Sequence, residues 1–313
     1  MDVLFVDSTH DRLPDKLSQS GFNCDYKPDI KPYDIIKIIP KYDGVIIRSK
    51  IKIDKTIIDE ATKLKFIGRV GAGLENIDVE YATQKGIKCF NSPEGNRDAV
   101  GEQALGMLLS LFNNILNADV EVRAGKWIRE GNRGVEIKGK TIGIIGYGNM
   151  GGAFAQRLKG FEANVIAYDK YKINYSNEFV AEKGLEDLFE QTDILSLHVP
   201  LTEETKFMVN DEFINRFKKD IYIINTARGK VIKTEDLVKN MKLGKVLGAA
   251  LDVLEYEQVS FENLHSGNDL PEAFQHLIKS NNVVLTPHIA GWTHESNIKL
   301  SEYLADKIIK EFT

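Results

Sequence analysis

The sequence predicts an α/β protein built from two doubly wound parallel-sheet domains, and three observations predict it. Short apolar runs of strand length alternate with amphipathic stretches of helical period through most of the chain. That alternation pauses over one long helical stretch beginning at Asp98 and then resumes as a second series. Where it resumes, an apolar run from Ile142 to Ile145 meets Gly146-Tyr147-Gly148-Asn149-Met150-Gly151, after which Ala153, Phe154, Ala155 and Leu158 recur at helical spacing.

In order, residues 3–6, 24–26, 45–47, 66–70 and 87–90 read as strands, with helical periodicity over 11–20, 32–39, 54–62 and 78–85 between them. From Asp98 onward Val100, Ala104, Leu105, Leu108, Leu109, Phe112 and Leu116 spread over more than one helical face, so a covering partner subunit is expected, with Trp127 in the following loop as part of the contact. After the glycine turn, residues 165–168, 194–199, 221–225, 246–252 and 283–286 read as strands, and 203–217 and 234–243 as helices. Ile298, Leu300, Leu304, Ile308 and Ile309 mark a last helix, expected to cross back onto the first domain. The expected division is 1–97 with 290–313, and 98–289, with hinges near 96–99 and 287–291.

Composition excludes several classes. At 313 residues, with 42% hydrophobic and 28% charged residues, the chain can bury two cores. A formal charge of −5 offers no general attraction to nucleic acid or an anionic membrane, so any anion site must be local. Two cysteines, Cys24 and Cys89, make neither a disulfide framework nor a metal cluster, and no metal is expected. The N-terminus lacks the basic flank of a signal peptide and no segment has the length of a membrane span, so a cytoplasmic protein is expected.

Strand, glycine turn and helix in that order suit a dinucleotide. Gly146 permits a tight turn, Gly148 lets a pyrophosphate approach the backbone, and Gly151 lets the helix pack close to the strand, while Asn149 and Met150 present the helix N-terminus. Asp169, ending the next strand, can accept hydrogen bonds from a ribose diol and repels a 2′-phosphate, which favours NAD over NADP. Lys170 is the discordant neighbour, read as a surface residue. In the first half, Arg48-Ser49-Lys50, Arg69-Val70-Gly71-Ala72-Gly73 and Asn91-Ser92-Pro93-Glu94-Gly95-Asn96-Arg97 place cations and glycine-permitted amides at three strand ends, a candidate anion pocket.

Four strand ends in the second half carry His198-Val199-Pro200, Thr226-Ala227-Arg228-Gly229, Asp252 and Pro287-His288, where a nicotinamide held by the glycine turn would lie. Hydride transfer to a 2-keto acid needs a cation to orient the carboxylate and polarise the ketone, and Arg228 has the bidentate geometry. It needs a proton donor that titrates near neutrality, for which His288 is the candidate, and a carboxylate to favour the imidazolium, for which Glu257 is the candidate and Glu255 the competitor. His198 reads as shaping backbone beside the cofactor. His10, His265, His276 and His294 read as surface or capping residues.

With these motifs and Pro287-His288-Ile289-Ala290-Gly291-Trp292, nearly the whole chain resembles the D-isomer-specific 2-hydroxyacid dehydrogenases. The resemblance implies a discontinuous flavodoxin-like substrate domain, a central Rossmann NAD-binding domain and a homodimer. It implies that Arg228 binds substrate, that Glu257 and His288 form the acid–base pair, and that Asp252 contacts the nicotinamide carboxamide. It implies further cofactor contacts from Thr205, Thr226, Ala227 and Gly291, and substrate contacts from Arg48, Ser49, Gly71, Ala72, Gly73 and Asn96. Arg48-Ser49 and Gly125-Lys126-Trp127 are most similar to the branch acting on 3-phosphoglycerate, the best substrate expectation, without the serine-binding regulatory domain of its longer members. Glyoxylate or hydroxypyruvate reduction is the nearest alternative. An NAD-sensing, corepressor-like binding module is the alternative from another class. Two departures stand out: Gln258 replaces the family's proline after the glutamate, and the segment 259–280 is longer than usual.

Overall fold

Five strands form in the first hundred residues: β1 (Asp2–Phe5), β2 (Asn23–Tyr26), β3 (Gly44–Ile47), β4 (Phe66–Arg69) and β5 (Lys88–Phe90). They pair in the order β2-β1-β3-β4-β5, all parallel. Every residue of β3 and β4 is buried, as central strands covered on both faces require. Helices α1 (Arg12–Gln19), α2 (Pro32–Ile38), α3 (Lys55–Glu60) and α4 (Val79–Gln84) make the crossovers. Asp54 and Asp78 cap α3 and α4 by accepting from the amides of Ile57 and Tyr81 at 3.2 and 3.1 Å. In this computed structural model residues 1–257 and 271–313 are described. Gln258, His265 and the first part of the long segment 259–280 fall outside the described residues.

Helix α5 (Arg97–Phe112) and helix α6 (Ile115–Arg123) follow as two helices where the apolar pattern suggested one. The break falls at Asn113-Asn114, where Asn114 takes a left-handed φ of 50°. The apolar arc of α5 is largely covered by its own unit, with Ala104, Met107, Leu108, Leu111 and Phe112 buried. The exposed apolar residues lie instead on α6 and the loop after it: Ile115, Leu116, Val120, Val122, Trp127 and Ile128.

The second sheet comprises β6 (Thr141–Ile145), β7 (Asn164–Tyr168), β8 (Ala181–Glu182), β9 (Ile194–Leu197), β10 (Ile221–Asn225), β11 (Val246–Leu251) and β12 (Val283–Leu285). Its parallel order, β12-β11-β10-β9-β6-β7-β8, reverses direction between β6 and β9, which creates a topological switch point at their carboxyl ends. Helices α7 (Asn149–Arg157), α8 (Leu185–Gln191), α9 (Asp211–Asn215), α10 (Thr234–Lys242) and α11 (Glu272–Lys279) belong to this sheet, and α12 (His294–Phe312) ends the described chain. The helix expected over 203–217 shrinks to α9. Residues 203–207 are turn, Phe207 has a φ of 52°, and Val209 forms a bridge with Ile232. His276, read from sequence as a surface or capping residue, lies in the last turn of α11.

By packing, Met1–Arg97 with Trp292–Thr313 form one unit and Asp98–Gly291 the other. The second crossing thus falls two residues beyond the 289/290 boundary expected from sequence. Leu300, Leu304, Ala305 and Ile308 of α12 join Val3, Phe5, Ile46 and Phe66 in one core cluster.

Candidate active site

The glycine turn sits at the switch point. Gly146, with φ +92°, directly follows β6, and a Cβ there would come within 2.6 Å of the His198 carbonyl and 3.1 Å of a Val199 methyl just after β9. A Cβ on Gly151 would lie 2.1 Å from the Gly146 carbonyl, so this glycine exists to seat α7 against the turn. Gly148 differs, because a Cβ on it would meet nothing within 4 Å. The chain's own packing does not require a glycine there; a ligand lying against the backbone at the start of α7, where Asn149 and Met150 follow, would.

Asp169 accepts at Oδ2 from the Tyr147 amide (2.7 Å) and at Oδ1 from the amides of Tyr171 and Lys172 (both 2.9 Å). Partial burial pushes its carboxyl up, but those three amides and the Lys172 ammonium outweigh it, and the net shift is downward. The carboxylate thereby stays ionised and aimed at the glycine turn. Lys170 pairs with Glu204, which agrees with its reading as a surface residue. Behind Pro200, the Thr205 hydroxyl donates to the Pro200 carbonyl at 2.6 Å and holds the turn. His198 is partly buried beside Phe154, its Nε2 2.8 Å from Ser196 Oγ, and desolvation of the ring drives its pKa down to about 3. It is neutral at physiological pH. Its Nδ1 and the Thr226 hydroxyl are buried polar atoms without a partner among the described residues.

Three neighbouring strand ends bring the remaining side chains together. The Asp252 amide donates to the Asn225 carbonyl at 3.0 Å, and the His288 amide to the Asp252 carbonyl at 2.8 Å. The loops after β10, β11 and β12 therefore lie side by side, and the outer two are separated by two strand spacings, roughly 10 Å. Asn225, fully buried, accepts from the Ala227 amide and donates to the Arg228 carbonyl, both at 3.0 Å, which fixes the turn that presents Arg228. Gly229 is required by the next loop: a Cβ on it would lie 1.9 Å from the Leu254 carbonyl oxygen.

His288 has φ +54°, and its Nδ1 lies 3.0 Å from Glu257 Oε2. Glu255 is occupied elsewhere, accepting from the Thr234 amide at the start of α10 at 2.9 Å. The strained His288 backbone is held by Asp252. Its Oδ1 accepts from the Thr286 hydroxyl (2.5 Å) and the Ile289 amide (2.9 Å), and its Oδ2 from the Ala290 amide (2.9 Å). Asp252 is 1% exposed, so in this geometry its carboxylate serves the loop from Thr286 to Gly291.

In the first unit the three polar strand ends are not equivalent. Asp7, buried after β1, accepts the amides of Arg48 (2.7 Å) and Lys50 (3.2 Å). Arg69 is 7% exposed and donates to the carbonyls of Arg48 (3.0 Å) and Gly73 (2.6 Å), while Asn76 donates to the Ser49 carbonyl (2.9 Å). The Gly71 and Ala72 carbonyls accept from the Ser92 amide (2.9 Å) and the Asn91 side chain (2.5 Å). Asn96 keeps a buried Oδ1 without a partner among the described residues. Arg69 is thus a brace, which leaves Arg48 with the exposed Lys50 and Arg97 as the other cations of these loops. Asp7, Asn76 and Asn225 were missed as site residues; the signal for Asp7 and Asn225 is a polar residue closing an otherwise apolar strand.

Residues 105–290 match the NAD binding domain of the D-isomer specific 2-hydroxyacid dehydrogenases. A hydroxypyruvate reductase of Thermotoga maritima is 40% identical over 280 residues, covering 89% of this chain and 87% of that protein. A D-3-phosphoglycerate dehydrogenase of Archaeoglobus fulgidus is 35% identical over 99% of this chain, which spans 57% of that longer protein. The crystal structure of a D-2-hydroxyisocaproate dehydrogenase superposes with a TM-score of 0.83 at 29% identity, covering 100% of this chain and 96% of the other. A glycine turn at the switch point, an ionised acid after the second strand, and this agreement over the full length have one meaning: the chain belongs to the D-isomer-specific 2-hydroxyacid dehydrogenase family, and its second unit is the family's NAD-binding domain.

Proposed function

We propose that the protein transfers a hydride between NAD(H) and a D-2-hydroxy acid/2-keto acid pair, with 3-phosphoglycerate and 3-phosphohydroxypyruvate the favoured pair. The observation that carries this reading is the 3.0 Å contact of His288 with Glu257 on a loop adjacent to the one presenting Arg228. Bound NAD takes up or supplies the hydride. Arg228 orients the substrate carboxylate and polarises the carbonyl oxygen. A carboxylate only accepts, so Glu257 fixes the proton on His288 Nδ1 and leaves Nε2 as the nitrogen that exchanges a proton with the substrate oxygen. Asp252 keeps that ring in place, and the Gly146–Gly151 turn with Asp169 holds the dinucleotide. Arg48 is the proposed ligand of the substrate's phosphate. A second copy of the chain is proposed to cover the exposed apolar side chains of α6 and Trp127.

The 40% identity to a hydroxypyruvate reductase favours a second reading, reduction of unphosphorylated keto acids such as hydroxypyruvate or glyoxylate. One experiment separates these: NADH oxidation followed by absorbance with phosphohydroxypyruvate, hydroxypyruvate and glyoxylate in turn. The first reading expects the highest kcat/KM on phosphohydroxypyruvate and a further loss on that substrate alone in Arg48→Ala. Turnover on none of the three would leave only an NAD-binding module. Oxidation of the hydroxy acid needs a neutral imidazole and reduction of the keto acid a charged one, so the two rates should run in opposite directions with pH; flat profiles would remove His288 from the proposed role.

A further inference from the structure

Trp292 is 68% exposed, and its ring lies against the guanidinium of Arg48, whose Cζ is 4.3 Å from the ring centroid. The two residues belong to the same unit although 244 positions separate them in the chain.

The backbone under Arg48 is already immobilised. Its amide is held by Asp7, its carbonyl by Arg69, the Ser49 carbonyl by Asn76 and the Lys50 amide again by Asp7. What remains adjustable is the plane of the guanidinium. Among the described residues its N–H groups meet no acceptor, and the negative charge that bears on it is that of Asp7, whose carboxylate is engaged by the backbone amides. A ring face stacked on a guanidinium takes up none of its N–H donors, because these lie in the guanidinium plane and point outward at its edge. Such a stack blocks one face and leaves the edge for a two-pronged acceptor.

We infer that Trp292 is a positioning residue that fixes the Arg48 guanidinium as an edge-on receptor for a phosphate or carboxylate at the far end of the substrate, and so sets the preference for doubly anionic substrates. This rests on reading Arg48 as a substrate ligand. Trp292 acts through the arginine and touches no reacting atom.

The test uses the full chain with phosphohydroxypyruvate and hydroxypyruvate as a matched pair. Trp292→Leu should raise KM for phosphohydroxypyruvate about five- to tenfold, the worth of one cation–π contact, with kcat and the KM for hydroxypyruvate unchanged. Trp292→Phe, which keeps an aromatic face, should recover most of the loss. If the wild-type protein prefers the phosphorylated substrate and Trp292→Leu does the same, the inference falls and the substrate reading stands; equal losses on both substrates also sink it. If the wild type shows no such preference the substrate reading falls, and a binding measurement decides the receptor. With Trp127→Phe, Trp292 is the remaining tryptophan, and its emission should change saturably with inorganic phosphate and cease to do so once Arg48→Ala is added. Emission indifferent to phosphate, or unaffected by loss of Arg48, overturns the receptor.

Discussion

At the scale of single residues, Gly148 and Gly151 stand three positions apart and answer to different masters. A methyl group on Gly151 would run into the Gly146 carbonyl at 2.1 Å, whereas on Gly148 it would meet nothing. Gly151→Ala should therefore destabilise the protein by the order of 1–3 kcal/mol of overpacking and lower its melting temperature, while Gly148→Ala leaves stability unchanged and raises the KM for NAD. Thermal denaturation beside NAD titration checks both; a Gly148→Ala protein that melts early would mean the position serves the fold. His198 sets a second expectation. Its folded pKa of about 3 lies below the unfolded value, so it costs nothing above the unfolded pKa and destabilises as pH falls from there toward the folded pKa. Between pH 6.5 and 5 the loss is about 2 kcal/mol, and His198→Asn should flatten that part of the stability–pH curve measured by urea denaturation. The sequence made Asp169 and the glycines legible because their neighbours in the chain are also their neighbours in space. It favoured Glu257 and kept Glu255 as a competitor, because what occupies Glu255 is the Thr234 amide, twenty-one residues before it in the chain.

At the scale of elements, the site depends on how closely the loops after β10 and β11 approach. Gly229 lies so near the Leu254 carbonyl that any side chain would push the Arg228 turn away from the loop that carries Glu257. Gly229→Ala should lower kcat about 100-fold, the cost of displacing a catalytic constellation by an ångström, with NAD affinity measured by fluorescence retained. The strands around this site were readable because buried parallel strands are continuous apolar runs, and residues 221–225 and 246–252 carry that signature. The helices were read less well. Residues 203–217 have a helical pattern, but the Thr202–Thr205 side-chain bonds, the left-handed Phe207 and the Val209–Ile232 bridge give the backbone other partners. Likewise Asn113-Asn114 interrupts an apolar pattern that looks continuous from 100 to 116, because an asparagine accepts a left-handed turn at small cost.

At the scale of the whole molecule, the sequence led us to expect a chain that leaves the first unit after residue 97 and returns at 290, and the packing puts the return at Trp292. The source of the exposed apolar surface was not foreseen. It lies on α6, whose Leu116 and Val120 are 49% and 65% exposed, and not on α5, whose pattern is the stronger of the two. If a second copy covers it, sedimentation should show a dimer that the pair Leu116→Glu and Val120→Glu converts to monomers, while the melting temperature of each chain changes little. The return of the chain also orders events during synthesis. Leu300, Leu304 and Ile308 are part of the same apolar cluster as Val3, Phe5 and Phe66. While the ribosome is still reading the middle of the message, the first hundred residues have emerged with one wall of their interior open to water, and nothing can close it. The NAD-binding unit, contiguous in the chain, is free to fold on its own, whereas the cluster of the other unit is completed only once α12 has been made.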